Sequence, residues 1–361
     1  ADDLPLMEWL QGHIWPVEGA VMGPEFIEDG ITLAIAEMLR GGTTCANENY
    51  FFPDVQAAVY KQHGFRARVG LPVIDFPTAW AKTSEEYFER AGEVHDQWRD
   101  DPLVATAFAP HAPYTVSDEN FERIRMLSDQ LDIPVHLHTH ETAHEVVESH
   151  AKLGQRPIAR LDRLGLVNDR LIAVHMTQLT DAEIALCAQR GVSVVHCPES
   201  NLKLASGFCP VGKLVKAGVN VAIGTDGCAS NNDLDMFGET RTAALLAKAV
   251  AEDASAFDAA TALHAATLGG ARALGFDARI GSNEPGKQAD LVCVDLGQIE
   301  TQPLHHVVSQ LIYATGRHQV SDVWIAGRAK LRERMLMDMD AEALVANARQ
   351  WRERIAAIRL T

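Results

Sequence analysis

Residues 134–142, with the sequence PVHLHTHET, combine an apolar, β-branched pattern with three alternating histidines and a glutamate near the end. Side chains alternate between the two faces of a strand, so we expect His136, His138 and His140 to share one face. Imidazoles on a face buried in an apolar interior need a proton donor, a carboxylate or a metal ion as partner. The stretch therefore predicts either hydrogen-bonded structural histidines or a metal site, with Glu141 beside it as a general acid or base.

Six similar strand-like runs flank this stretch, and amphipathic helical segments separate them. The runs recur at intervals of roughly 30 residues, the size of a β/α unit in a parallel sheet. The seven runs occupy residues 43–50, 65–73, 104–112, 134–141, 171–178, 193–200 and 221–227. This alternation predicts an α/β protein built on a parallel sheet.

Two parallel architectures fit this alternation, a doubly wound open sheet and a closed barrel. No G-x-G-x-x-G follows an early run, which weakens the prediction of a dinucleotide-binding open sheet. The runs carry polar residues at or near their carboxyl ends: His111, His138, Glu141, His175, His196 and Asp226. Because barrel enzymes build their active sites from the carboxyl ends of several strands, a TIM-type (β/α)8 barrel is favoured.

The sequence divides into a barrel, a second β unit and a final helix. Residues 1–275 are predicted to form the barrel, residues 276–340 part of a small β-sandwich domain, and residues 341–361 a C-terminal helix. Only seven barrel strands are found, so the first strand is expected before residue 1. Residues 4–20 are predicted to form a loop with a short helical segment that carries Trp9 and Trp15.

Composition excludes several classes of partner. The chain has 32 basic and 49 acidic residues, a formal net charge of −17, which argues against nucleic acid or an anionic membrane surface. It has no apolar run near the roughly 18 residues of a membrane helix and no basic secretory start. Its six cysteines lack a C-x-x-C pair and are expected to be reduced thiols. We expect a soluble, cytoplasmic homo-oligomer that acts on a small molecule.

Several motifs, taken together, resemble the amidohydrolase superfamily. They are His138-x-x-Glu141-Thr142, His175, the turn Gly224-Thr225-Asp226-Gly227 followed by Ser230-Asn231-Asn232, and EPGKQADL at residues 284–291. Within the superfamily the chain is similar to the branch of single-metal deaminases that act on 5-methylthioadenosine and S-adenosylhomocysteine, alongside triazine chlorohydrolases. The resemblance extends over nearly the whole chain, with the motifs in the family's order.

The resemblance implies one divalent metal ion, Zn²⁺ in the first place and Fe²⁺ as the alternative. His138 and Asp226 would be ligands, together with a His-x-His pair expected upstream of Ala1. Asp226 would also accept a proton, Glu141 would carry protons between water and the purine ring, and His175 would hold the attacking water. These roles describe hydrolysis by a metal-activated water.

The resemblance also implies substrate-binding residues. His111 would orient the substrate, Trp9 would pack on the nucleoside, and Glu18 would accept hydrogen bonds from the ribose hydroxyls; Glu141 would contact the ring. In some family members arginines near the third strand reach the distal end of the substrate, and residues 71–76 contain none.

The sequence is compatible with three functions. The leading hypothesis is hydrolytic deamination of an adenosine-type nucleoside, 5′-methylthioadenosine or S-adenosylhomocysteine, to the inosine analogue and ammonia. A guanine, 8-oxoguanine or triazine aminohydrolase or chlorohydrolase is the alternative in the same superfamily, and it would not need Glu18. A non-catalytic nucleoside-binding protein on a degenerate barrel is the alternative from another class.

Overall fold

Seven parallel strands alternate with helices and form one curved sheet in the computed structural model, which describes residues 2–358. The strands lie in the sheet in the order in which they occur along the chain. They are β1 Cys45–Asn47, β2 Arg66–Val73, β3 Val104–Pro110, β4 Val135–Thr139, β5 Leu171–His175, β6 Ser193–His196 and β7 Asn220–Ile223. This arrangement confirms the predicted barrel-type fold, and the strand expected before residue 1 lies outside the described residues.

Helices follow most strands and cover the outer face of the sheet. The barrel region contains α1 Leu6–Trp9, α2 Trp15–Val21, α3 Pro24–Arg40, α4 Pro53–Gln62, α5 Ser84–Trp98, α6 Asp118–Leu131, α7 Ala143–Leu153, α8 Pro157–Arg163, α9 Asp181–Arg190, α10 Pro198–Lys203, α11 Val211–Lys216, α12 Cys228–Asn231, α13 Met236–Ala251, α14 Ala259–His264 and α15 Gly270–Ala273. Thr83, Ser117, Thr142 and Thr180 cap α5, α6, α7 and α9 by accepting a backbone N–H. Such caps satisfy amide groups that a helix leaves unpaired at its start.

The apolar runs in the sequence result from burial on both faces of the sheet. All eight residues of β2 are buried. Val69 packs in the apolar cluster that includes residues of α3 and α4. Pro72, which belongs to the opposite face of the strand, lines the cavity inside the sheet. Parallel strands covered on both sides lose the alternation of polar and apolar residues that marks a half-exposed strand.

Residues 6–21 are helical almost throughout, which corrects the prediction of a loop with one short helical segment. Between α1 and α2, residues Leu10–Ile14 form a π-helical turn that continues the helical path. Two glycines and several β-branched residues lower helix propensity here. Tertiary packing outweighs that preference, because Trp9 is buried with only 7% of its surface exposed.

A small antiparallel sheet follows the barrel. Its strands are β8 Leu291–Val294, β9 Val320–Ile325, β10 Arg328–Arg332 and β11 Met335–Leu336, and its helices are α16 Val307–Tyr313 and α17 Ala341–Ala356. The structure thus confirms a second β unit, and its described residues form one four-stranded antiparallel sheet. The sandwich packing and the boundaries at residues 275 and 340 stay predictions. In the part of the chain that the structure describes, no helix is both long and apolar enough to cross a membrane.

The motif at residues 284–291 ties this unit to the barrel. At the amino end of β2, the Arg66 guanidinium donates to both carboxylate oxygens of Asp290, at 2.8 and 2.9 Å. The two side chains are 0% and 4% exposed. Asp290 also accepts from the backbone N–H of Ala326 at 2.7 Å, so one carboxylate joins β2 to the turn after β9.

Candidate active site

One cavity of about 1850 Å³ lies inside the curved sheet and extends beyond the carboxyl ends of its strands. All seven residues predicted for the site line it: Trp9, Glu18, His111, His138, Glu141, His175 and Asp226. They come from the ends of four strands, β3, β4, β5 and β7, or the loops that follow these strands, and from the N-terminal helical segment. The structure therefore brings together residues that are up to 217 positions apart, as the barrel prediction requires.

His138 is oriented by a backbone contact. Its Nδ1 donates to the carbonyl oxygen of His111 at 2.8 Å, which leaves Nε2 free toward the cavity. Its ring centroid lies 5.7 Å from that of His111 and 5.5 Å from that of His175. Burial, and then the nearby His175, lower the pKa of His138. The imidazole is therefore neutral at pH 7, the form that binds metal ions.

His140 does not share the face of His136 and His138, which corrects the prediction for residues 134–142. His136 and His138 line the cavity, but β4 ends at Thr139, and His140 has a left-handed backbone with φ +52°. The ring of His140 accepts from the backbone N–H of Ile158 at 3.0 Å. Alternation of side chains holds only while the backbone stays extended.

Asp226 presents one free carboxylate oxygen. Its Oδ2 accepts from the hydroxyls of Ser200 and Ser230, both at 2.7 Å, and this leaves Oδ1 unused by these contacts. Burial alone would raise the pKa of Asp226. The nearby His175 and His138, together with the two hydroxyl donors, more than offset burial and lower that pKa. Asp226 is therefore ionised at neutral pH.

His175 and Glu141 face each other. The Asn201 side-chain amide donates to Nδ1 of His175 at 2.9 Å, so Nε2 carries the ring proton. That Nε2 lies 3.7 Å from Oε2 of Glu141. Burial, and then the charge of Asp226, raise the pKa of Glu141 to about 7. A carboxyl group with such a pKa can both take up and release a proton near neutral pH.

Backbone strain marks the ends of three strands around the site. His140, His175 and Asp226 have φ values of +52°, +75° and +60°. These values lie in the left-handed region, which is costly for residues other than glycine. Such strain persists only where surrounding contacts impose it, and it clusters at functional sites.

The helical segment of residues 6–21 supplies the other wall of the cavity. Trp9 is buried there, and Glu18 accepts a hydrogen bond of 2.5 Å from the Tyr50 hydroxyl. Burial raises the pKa of Glu18, and the bond from Tyr50 opposes that rise. Among the described residues, Lys82 is the one Lys or Arg side chain that lines the cavity, and its amino group donates to the Thr78 carbonyl.

Sequence reasoning missed the residues that orient the predicted ones: Tyr50, Ser200, Asn201 and Ser230. Ser200 and Asn201 belong to the polar residues that follow β6, where α10 begins, and Ser230 belongs to the quoted motif. Their positions after strands were a signal that they could contact the site. The side chains they bond, Glu18, His175 and Asp226, could not be inferred from sequence spacing.

His138 and Asp226 fit two positions of a metal site. Nδ1 of His138 and Oδ2 of Asp226 are each engaged in a hydrogen bond, which leaves Nε2 and Oδ1 for a metal ion. Metal ligands are commonly oriented by such a second hydrogen bond. Within residues 2–358, no group of three or more His, Cys, Asp and Glu side chains is arranged to hold a metal ion. The metal-ligand roles of His138 and Asp226 therefore stay predictions.

Known proteins resemble this chain over nearly its whole length. A model of the amidohydrolase family matches residues 1–330. The 5-methylthioadenosine/S-adenosylhomocysteine deaminase of Teredinibacter turnerae is 48% identical over 359 residues, which cover 99% of this chain and 81% of the relative. That of Aquifex aeolicus is 41% identical over 353 residues, covering 98% and 82%.

Solved structures share the fold. A crystal structure of an adenosine deaminase from Xanthomonas campestris with bound zinc is 80% identical, with a TM-score of 0.99 over 99% of this chain and 82% of that chain. Atrazine chlorohydrolase from Arthrobacter aurescens in complex with zinc has a TM-score of 0.91 at 23% identity, over 97% of this chain and 82% of that chain. The second likeness concerns the fold alone.

Proposed function

Because the chain belongs to the amidohydrolase family, we propose that it catalyses the metal-dependent hydrolytic deamination of an adenosine-type nucleoside. The substrate is 5′-methylthioadenosine or S-adenosylhomocysteine, and the products are the inosine analogue and ammonia. The observation that carries the proposal is the facing pair of Glu141 and His175, 3.7 Å apart, in a cavity that also contains Asp226 and Glu18.

One metal ion completes the proposed site, with Zn²⁺ preferred over Fe²⁺. The zinc bound to the Xanthomonas campestris protein supports this choice. His138 and Asp226 would hold the ion. A bound divalent ion supplies a Lewis acid that lowers the pKa of water to about 7.

The side chains of this chain carry the proton transfers. His175, with its proton on Nε2, donates a hydrogen bond to the attacking water and orients it. Asp226 accepts a proton of that water, and Glu141 delivers a proton to the ring nitrogen beside C6 as the water attacks C6. Glu141 then takes the proton of the new C6 hydroxyl group and delivers it to the amino group, so the C6–N bond breaks, ammonia leaves and C6 keeps the oxo group. The proton on Asp226 returns to Glu141, which restores both side chains.

The remaining residues bind the nucleoside. Trp9 packs on it, His111 orients it from the end of β3, and Glu18 accepts hydrogen bonds from the ribose hydroxyls. A guanine or triazine substrate has no ribose, so Glu18 distinguishes the leading proposal from that alternative. A cytoplasmic location and a homo-oligomeric state stay predictions.

Ammonia release from the full-length, metal-loaded protein tests the proposal. We expect turnover of adenosine nucleosides and not of guanine, with higher kcat/KM for 5′-methylthioadenosine than for S-adenosylhomocysteine. Glu141→Gln should lower kcat by about 100-fold or more, because general acid–base groups typically contribute 10²–10⁴. Glu148→Gln, the same change on the exposed side of α7, should retain kcat.

Two outcomes would contradict the proposal in different ways. Turnover of guanine or a triazine that survives Glu18→Ala would favour the superfamily alternative. Tight nucleoside binding without metal and without ammonia release would identify a non-catalytic binding protein.

A further inference from the structure

Glu145 holds the backbone that carries Glu141. Its Oε1 accepts from the N–H of His140 at 3.0 Å, and its Oε2 accepts from the N–H of Glu141 at 2.7 Å. The side chain is buried, with 8% of the residue exposed. A buried side chain whose two oxygens accept from two consecutive backbone amides restrains both peptide units, because each hydrogen bond requires a short distance and a near-linear N–H direction.

A second helix of the same chain shows the ordinary use of this sequence pattern. Thr180 and Glu183 form a capping box at the start of α9, in which Glu183 accepts from the N–H of Thr180 at 2.8 Å. Thr142 and Glu145 have the same Thr-x-x-Glu spacing at the start of α7, and Thr142 caps that helix. Glu145 instead reaches past the capping residue to the two residues before it.

The restrained segment is strained and has further anchors. The carbonyl oxygen of His140 accepts from the N–H groups of Thr177 and Gln178, at 3.0 and 3.2 Å. Nε2 of the His140 imidazole accepts a hydrogen bond from the backbone N–H of Ile158. These contacts hold His140 in the left-handed region, and the next residue along the chain is Glu141.

We propose that Glu145 is a positioning residue, which fixes the peptide units of His140 and Glu141 so that the Glu141 carboxylate faces His175 and the substrate ring. The inference rests on the proton-carrying role of Glu141 in the proposed function. Without Glu145, two buried amides lose their acceptor and the strained turn relaxes. The side chain of Glu141 then loses the geometry that proton transfer requires.

Steady-state kinetics of Glu145→Gln in the full-length, metal-loaded protein test this inference. The glutamine side chain has one acceptor oxygen, and its NH₂ group would face a backbone N–H. We expect kcat for 5′-methylthioadenosine to fall about 30-fold, less than for Glu141→Gln, because the Glu141 carboxylate is misplaced rather than removed, and we expect KM to change less than about 3-fold.

A double-mutant cycle separates positioning from a general structural effect. If Glu145 acts through Glu141, adding Glu145→Gln to Glu141→Gln should lower kcat by less than about 2-fold, because the two changes remove one function. Independent losses that multiply in the double variant would overturn the inference. Glu148→Gln on the exposed side of α7 is the matched control and should keep kcat in both backgrounds.

Glu145→Asp provides a second test that does not depend on the folding of Glu145→Gln. Glu145→Asp keeps a carboxyl group at the start of α7, but its side chain is one methylene shorter and cannot reach both backbone amides, so kcat should fall at least about 10-fold. Wild-type kcat in folded Glu145→Asp would overturn the inference. If Glu141→Gln is inactive and Glu145→Gln is fully active, the positioning role of Glu145 is wrong but the proton-carrying role of Glu141 stands. If Glu141→Gln is fully active, both roles are wrong.

Discussion

Glu18 and Tyr50 form a hydrogen-bonded pair on the cavity wall, although they are 32 residues apart in sequence. The Tyr50 hydroxyl donates to Oε1 of Glu18, so Oε2 remains an acceptor for the ribose hydroxyls of the proposed substrate. The bond also limits the side-chain rotamers of Glu18. We therefore expect Tyr50 to hold the Glu18 side chain in the position that the proposed ribose binding requires.

Tyr50→Phe should raise KM for 5′-methylthioadenosine about 5-fold and leave kcat within about 2-fold, because one hydrogen bond that assists binding is lost. The effect should disappear with a 2′,3′-dideoxy nucleoside, which has no ribose hydroxyls for Glu18 to accept from. Steady-state kinetics with both substrates measure this, and Tyr313→Phe serves as the control. An equal rise in KM for the dideoxy substrate would show that Tyr50 acts in another way.

Helix α13 is linked by hydrogen bonds to the turn that carries Asp226. Its residue Glu239 is fully buried and accepts a hydrogen bond from the side-chain amide of Asn231, which also donates to the carbonyl oxygen of Thr225 at 2.8 Å. Burial, and then the charge of Glu199, raise the pKa of Glu239 to about 9. The carboxyl group is therefore protonated at pH 7, and the helix brings a neutral group to the turn.

This raised pKa predicts how Glu239 affects stability. The unfolded chain releases the proton above about pH 4.5, whereas the folded chain keeps it up to about pH 9. The stabilisation from Glu239 is complete below the unfolded pKa and is lost as pH rises through this window. Glu239→Gln removes the titration, so its free energy of unfolding should decline less than that of wild type across the window. Urea unfolding at several pH values measures this, and identical pH slopes would contradict it.

The barrel and the small sheet are joined through the pair of Arg66 and Asp290. Both side chains are almost fully buried, so each charge depends on the other for its neutralisation. Arg66 begins β2 and Asp290 precedes β8, so this pair connects the amino end of a barrel strand to the second β unit. Removing one partner leaves an uncompensated buried charge.

Asp290→Ala should lower the free energy of unfolding by about 3–5 kcal/mol, because Arg66 would remain charged and buried. Chemical denaturation monitored by fluorescence measures the change. Lys152→Ala breaks the exposed pair with Glu148 and should shift the denaturation midpoint far less. A loss for Asp290→Ala as small as that of the control would show that other groups compensate Arg66.

Sequence predicted the main elements because their signals are local. Helices α6 and α9 lie between strand-like runs, as the predicted alternation requires, because each follows a capping residue and has an apolar face. The strands were predictable because burial on both faces produces apolar runs. The helical path of residues 6–21 was not, because it depends on packing of Trp9 over a cavity formed by distant strands.

The sequence by itself determined the alternation of strands and helices and placed histidines and carboxylates, the residue types of acid–base and metal chemistry, at the strand ends. Only the tertiary structure decided how those side chains are aimed. The turn of His140 away from His136 and His138, the two hydroxyls on one oxygen of Asp226, and the hold of Glu145 on the Glu141 backbone all depend on where the chain bends. Hydrogen bonds act over about 3 Å between particular atoms, whereas sequence patterns specify only which face or end of an element a residue occupies.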